Sequence, residues 1–350
     1  MKNLSVITTP INYDFIKRES SHNTSNLPFT RQNIILENLK KNHNFNLKIT
    51  NKTFPEIEQI ILNSNMIDKD YITFLQNAYT SYINNGKNDD YTSLYDQGLV
   101  AYYFNKKSTI TNNLLQILPF YLQCGIFTND YCTSIFDYTY ENALRTAYNS
   151  YIVSKLELSN DELIYCCNVY PGHHSTNSCY NGYCFLNNAA ICAKLLLNKY
   201  NKICILDLDY HHGDGTQEIF KHDENVITIS IHGDPSNTYP FYSGYFEENT
   251  NDNYNYPLSK NASYEEYVET LTSILHMINT LTVNILIISF GSDTFNEDPQ
   301  GYFNLMLDDY KKIGNIIKDN INMPIVVMQE GGYDLNNVGT IVNNFITGLK

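Results

Sequence analysis

Cys204-Ile205-Leu206-Asp207-Leu208-Asp209-Tyr210-His211-His212-Gly213-Asp214-Gly215 carries an apolar run into two alternating carboxylates, a pair of imidazoles and a glycine turn. Side chains alternate along an extended chain. Asp207, Asp209 and His211 therefore turn to one side, where a carboxylate and an imidazole two residues apart reach the same ion. Aspartates in a buried strand are costly unless paired or metal-bound. A lone Asp-x-Asp reads as a strand ending in a solvated turn; here motif, strand and turn agree, and the reading is a metal site at a strand end.

Outward from it, three more apolar runs end in reactive residues. Tyr170-Pro171-Gly172-His173-His174 follows the run 163–169, and two histidines in tandem suit proton transfer better than packing. Ile285-Leu286-Ile287-Ile288-Ser289-Phe290-Gly291-Ser292-Asp293 delivers an aspartate, and the run 324–329 ends in Glu330-Gly331-Gly332-Tyr333. Between and beyond these runs, helices are expected over 185–200, 264–281, 305–319 and 338–349, with a strand over 202–209. Strands alternating with helices give an α/β architecture, a parallel sheet with helices on both faces, whose sites form outside the carboxyl ends of the strands. The polar stretches 12–26 and 84–97 lack periodicity and read as loops. All 350 residues are expected in a single domain.

The blocks PGHHSTNSCYNGYCFLNNAAICA (171–193), ILDLDYHHGDGTQEIF (205–220), ITISIHGDPSNTYPFYSGY (227–245), SFGSDTFNEDPQGYF (289–303) and VVMQEGGYDL (326–335) stand in the order kept by one known family. From about Asn129 to the C-terminus the chain resembles the zinc-dependent deacetylases, which include histone deacetylases and acetylpolyamine amidohydrolases. The HGDPSNTYPFYSG and DTFNEDPQGYF blocks look more like the acetylpolyamine branch. The resemblance implies the arginase-deacetylase type three-layer fold. It also implies zinc held by Asp209, His211 and Asp293, with ferrous iron a second fit to such an O,N set. Three protein ligands leave an open position, as catalytic zinc requires.

By the same resemblance His174 is the base and then the acid for the leaving amine, and Asp214 orients it. His173 is its electrostatic companion, oriented by Asp207, and Tyr333 donates its hydroxyl to the scissile carbonyl oxygen. Asp207 and Ser230 would help hold a structural potassium ion. Gly182 and Tyr183 would form one wall of a narrow tunnel and Tyr239 the other, two aromatic faces suited to a linear alkyl chain. Most relatives carry phenylalanine where Tyr183 stands, so a hydroxyl enters the tunnel. Gln300 stands at a rim position where glutamate favours polyamines and leucine favours acetyl-lysine peptides, and it fits neither. Asp130 aligns roughly with a substrate-binding rim aspartate.

Composition narrows the rest. A net charge of −14 argues against a direct nucleic-acid binder and suits a cationic, small-molecule acetylated amine as partner. The first residues show no signal-peptide pattern, and the longest apolar run is too short to span a bilayer. Several of the eight cysteines sit in apolar runs, as reduced thiols do, so a cytoplasmic location is expected. Homo-oligomerisation stays open. Three rivals remain: a protein or histone acetyl-lysine deacetylase, a non-catalytic acetyl-group binder, and an arginase-type ureohydrolase with a second metal. Tyr333 and both histidines are present, which disfavours the binder.

Overall fold

The computed structural model describes residues 2–20, 26–50, 52–86, 93–95, 98–104 and 112–350. Among them the strands run β1 (Asn3–Thr8), β2 (Asn46–Ile49), β3 (Ser93–Tyr95), β4 (Gly98–Val100), β5 (Glu162–Cys167), β6 (Ile203–Asp207), β7 (Val226–Gly233), β8 (Asn253–Leu258), β9 (Ile285–Phe290) and β10 (Ile325–Gln329). Strands β3 and β4 form an antiparallel pair. The other eight form one sheet in the order β2-β1-β5-β10-β9-β6-β7-β8, and each neighbouring pair in it is parallel.

Both faces of this sheet are buried, which explains why its central strands read as nearly continuous apolar runs. Ile164, Cys166, Ile203, Ile205, Ile287, Val326 and Met328 point to one face, where they meet Ala189, Ala190 and Ala193 of the helix Asn188–Leu196. Residues of the opposite parity, among them Tyr165, Leu206, Ile288 and Val327, pack under the helices Pro28–Asn42, Tyr264–Thr280, Asp309–Asn320 and Val338–Leu349. Phe345 of the last helix stacks on Phe290, with ring centroids 4.1 Å apart and planes at 9°, and so fixes the end of β9 three residues before Asp293. Register brings the strand ends level: Asp207 lies beside Ser289, and Gln329 beside Phe290. The four strands that end in reactive residues, β5, β10, β9 and β6, are contiguous in the middle of the sheet.

A second layer closes over the loop that follows β5. The helices Phe54–Leu62, Lys69–Ser81 and Thr139–Ser154 enclose a cluster that includes Phe29, Tyr71, Phe74, Phe127, Tyr180 and Phe185. Phe74 and Phe127 stack at 4.7 Å, and the Tyr71 hydroxyl donates to the Phe185 carbonyl at 2.7 Å.

Two loop expectations are corrected here. The stretch 12–26 contains the helix Tyr13–Glu19, capped by the Asn12 side chain and anchored by Phe15 against Phe29 at 4.9 Å. Seven residues are too few for a helical period to show in sequence. The stretch 84–97 holds the end of the π-helical turn Tyr82–Gly86 and strand β3, while 87–92 and 96–97 lie outside the described residues. The helix expected over 185–200 starts at Asn188, because the Asn187 side chain caps it through Ala190 N–H. The one expected over 305–319 runs Asp309–Asn320, since Leu305 is bridged to Phe295.

Glu19 ties the first helix to the second. Its buried carboxylate accepts from Phe29 N at 2.9 Å and from Thr30 N and Oγ1 at 2.8 Å, which supplies the cap that Leu27 does not. Burial outweighs those donors and pushes the carboxyl up to about 7. A carboxyl raised in the folded state favours folding below its unfolded value of about 4.3, and that contribution is lost as pH rises through about 7. We expect Glu19→Gln to remove about 3–4 kcal/mol of stability loss between these limits. Denaturant melts of both proteins across pH 4–8 check it, and parallel curves refute it.

Candidate active site

Asp209 and Asp293, at the ends of neighbouring strands, are fully buried and face each other, with His211 completing a group whose ligand atoms all lie within 4.8 Å of one another. His211 Nδ1 is 3.2 Å from Asp209 Oδ1 and 3.1 Å from Asp293 Oδ2. The second oxygens are pinned by backbone: Asp209 Oδ2 accepts from Gly331 N at 2.9 Å and Asp293 Oδ1 from Tyr210 N at 3.1 Å. Gly291 permits this approach, since a Cβ there would collide with both carboxylates. Among the described residues no lysine or arginine forms an ion pair with either aspartate.

The electrostatics call for a positive charge between them. Burial and then Asp209 push the Asp293 carboxyl up to about 7. Burial also works against the charge on Asp209, yet His173 and His211 hold its carboxyl below the usual range. Burial alone would lower the His211 imidazole, but the two aspartates raise it to about 9. Two carboxylate oxygens and one imidazole fit a divalent transition ion with open positions left for other ligands.

Beside this group the tandem histidines are set in opposite states, their rings 4.0 Å apart. His173 Nδ1 lies 2.9 Å from Asp207 Oδ2, and its Nε2 is 3.7 Å from Asp209 Oδ1. Burial disfavours its charge, but Asp209 and Asp207 together raise its imidazole well above the ordinary value. His174 Nδ1 lies 2.7 Å from Asp214 Oδ1. Burial, then the charges on His173 and His211, hold this imidazole well below its ordinary value. A neutral His174 can take a proton at neutral pH while His173 keeps its own.

His174, His211, Tyr333, Tyr183, Tyr239 and Gln300 line one cavity of about 370 Å³, together with Gly182 and Asp130. The Tyr239 ring stands perpendicular to His174 at 4.8 Å, and Tyr183 meets Tyr333 edge-on at 5.8 Å. Burial and the nearby Asp293 and Asp209 raise the Tyr333 phenol, so its hydroxyl stays protonated and able to donate. Gly182 and Tyr183 both have positive φ, 54° and 66°, a conformation costly for a tyrosine. Asp130 holds that wall. Its Oδ1 accepts from Cys132 N and Thr133 N, and its Oδ2 from Thr133 Oγ1 and Gly182 N, at 2.7–2.8 Å. Thr133 Oγ1 in turn accepts from Tyr183 N at 2.9 Å. Asp207 and Ser230, paired in register, lie beneath the cavity and border a void of about 10 Å³. The Ser230 hydroxyl is 2.7 Å from His232 Nδ1.

Three anchoring residues escaped the sequence reading. Glu330 was quoted only as part of a motif, yet its buried carboxylate accepts from Gly172 N, His173 N and Ser289 Oγ, locking the histidine loop to β9. Asp298 accepts from Tyr333 N at 2.7 Å and Gln300 N at 2.9 Å, so one side chain sets both the phenol and the rim. Arg31, fully buried, donates to Gly332 O at 3.3 Å and Val169 O at 3.1 Å. A carboxylate immediately before Gly-Gly-Tyr, and one two before Gln300, were the available signals for the first two; Arg31 lies in no motif.

Comparison with known proteins places this arrangement among relatives. The family description "Histone deacetylase domain" matches residues 28–349, starting well upstream of Asn129. The acetylpolyamine amidohydrolase of Mycoplana ramosa is 36% identical over 233 residues, covering 65% of this chain and 68% of that protein. Acetylpolyamine amidohydrolase 2 of Pseudomonas aeruginosa is 32% identical over 290 residues, 80% of each. A crystal structure of acetylpolyamine aminohydrolase from Burkholderia pseudomallei superposes with a TM-score of 0.81 at 22% identity, covering 98% of both chains. The HDA15 HD domain does so with a TM-score of 0.70 at 20% identity, covering 99% of this chain and 90% of that one. These two likenesses show the fold expected from the strand pattern.

Asp130 offers a test of the wall. Asn in its place turns an amide donor toward two of its four backbone or hydroxyl donors, so Asp130→Asn is expected to lose about 1–3 kcal/mol of stability. An open rim carboxylate would change it by less than about 0.5 kcal/mol, and the denaturation midpoint separates the two.

Proposed function

We propose, from the premise that this chain belongs to the histone deacetylase domain family, that it hydrolyses the acetyl amide of a small acetylated amine, with acetylpolyamines the preferred substrates. The observation that carries this reading is the meeting of a transition-metal donor set, a neutral imidazole and a protonated phenol around one narrow cavity. Asp209, His211 and Asp293 would hold the metal, zinc by default and ferrous iron as a second fit. That ion supplies Lewis acidity toward the carbonyl and the attacking water.

The remaining work belongs to side chains. His174, aimed by Asp214, takes a proton from water and returns one to the leaving amine. His173 keeps its proton on the Asp207 side and adds positive charge next to the developing oxyanion. Tyr333 donates its hydroxyl to that oxyanion, positioned by Asp298 through its own backbone N–H. Asp207 and Ser230 are the side chains that would help hold potassium under the site.

Polyamine preference rests on three supports: relatives that carry acetylpolyamine names, aromatic walls that suit an alkyl chain, and a net charge of −14. Gln300 brings no charge to the rim, so selectivity is expected to be modest. Acetyl-lysine on a peptide would enter the same cavity as the second reading. All eight cysteines are unpaired, which favours a reducing, cytoplasmic setting, and no helix among the described residues is long and apolar enough to cross a membrane.

Metal analysis of the purified protein should return one transition ion per chain, and Asp293→Ala should lose it together with activity. Two transition ions per chain would point to the arginase-type chemistry instead. Tyr333→Phe should keep the metal and lower turnover about 100- to 1,000-fold, as loss of one oxyanion donor does. Turnover of N-acetylputrescine, N8-acetylspermidine and an acetyl-lysine peptide, measured side by side, tests the substrate class. Efficient cleavage of the peptide with the polyamines inert would overturn the preference.

A further inference from the structure

We propose that Tyr242 is a positioning residue for the base, holding Asp214 so that its other oxygen stays aimed at His174. The proposal rests on the role given above to His174. The Tyr242 hydroxyl donates to Asp214 Oδ2 at 2.6 Å, while Asp214 Oδ1 meets His174 Nδ1 at 2.7 Å. A short bond to a carboxylate is among the stronger hydrogen bonds a protein makes. The three side chains form a line from the cavity mouth to the base. Tyr242 lines the cavity with its ring while its hydroxyl points inward, and the residue as a whole is 56% exposed.

The placement is built into the loop. Phe241, at φ 69°, has its carbonyl bonded by the Tyr245 hydroxyl at 2.7 Å. On the other side of Tyr242, Glu248 accepts from Ser243 Oγ, Gly244 N and Tyr245 N at 2.8–2.9 Å. The backbone is therefore fixed on both sides of the tyrosine. The Tyr242 hydroxyl, with the backbone N–H groups of Asp214 and Gly215, holds the carboxylate at one setting of its terminal torsion. Without the hydroxyl that restraint weakens, and the bond that aims the His174 imidazole loosens with it.

Tyr242→Phe keeps the ring and removes the bond. The expected result is a fall in kcat of about tenfold with KM within about twofold and an unchanged metal content. Tyr242→Ala also removes the wall and should raise KM. In an Asp214→Asn background, Tyr242→Phe should have no further effect on kcat, because the pair acts as one unit. In the substrate-free protein, the low-field Nδ1–H proton resonance of His174, assigned by its disappearance in His174→Ala, should move in Tyr242→Phe. A resonance that does not move, an additive double variant, or a KM change with kcat intact would each overturn the proposal. If the wild-type protein turned over no acetylated amine, the hydrolase reading would fall, while the resonance would still decide what Tyr242 does.

Discussion

Two carboxylates that repel each other set the terms for this molecule. Asp209 and Asp293 are buried side by side at the ends of β6 and β9, away from solvent, and among the described residues no lysine or arginine pairs with them. Such a pair is tolerated only around a cation. Everything near it is arranged accordingly. Backbone N–H groups of Tyr210, His211 and Gly331 donate to the carboxylate oxygens, a glycine stands where any side chain would intrude, and His211 closes the third corner. The same negative charge makes the neighbouring His173 hold a proton, and the charge on His173 helps keep His174 neutral. Asp209 and Asp207 thus favour the charged form of His173, while burial, then the charges on His173 and His211, favour the neutral form of His174.

The sheet explains why residues so distant in sequence share this field. A parallel strand ends on the same side as its neighbours, so contiguity of β5, β10, β9 and β6 gathers their following loops into one patch. Buried carboxylates then lace the loops to one another. Glu330 joins the loops after β10 and β5, and Asp298 joins the phenol to the rim. Arg31 reaches in from the helix Pro28–Asn42 to hold the carbonyls of Val169 and Gly332. Each anchor acts on main-chain groups, so the reactive side chains are aimed through their backbones.

That mode of action decided what could be read from the sequence. The strand ends and their reactive residues were legible because carboxylates and histidines after apolar runs are rare and follow a period of two. His173 lies 2.9 Å from Asp207 and His174 2.7 Å from Asp214, and Tyr183 and Tyr239 border one cavity. Arg31 was not legible, since a side chain that bonds a distant carbonyl leaves no local pattern, and Asp298 was marked only by its place two residues before Gln300. Tyr242 was hidden among 30 tyrosines. Asp130 was noticed for its position, but its four hydrogen bonds within the protein depend on a fold that spacing alone does not give. The layer built by the helices Phe54–Leu62, Lys69–Ser81 and Thr139–Ser154 was unread for a related reason: most of its aromatic residues pack against one another outside any motif.

The place of β10 has a consequence for synthesis. This strand, residues 325–329, is made after the other nine, yet it lies between β5 and β9 in the middle of the sheet. Until it emerges, the two halves β2-β1-β5 and β9-β6-β7-β8 have no strand to join them, and their inner edges expose unpaired backbone to other chains. Glu330, the lock of the histidine loop, arrives in the same final stretch. Nascent chains therefore carry open edges until this strand is made, a long-range assembly of the kind that folds slowly. A chain shortened by its last thirty or so residues would lose the seam of the whole sheet rather than a peripheral tail.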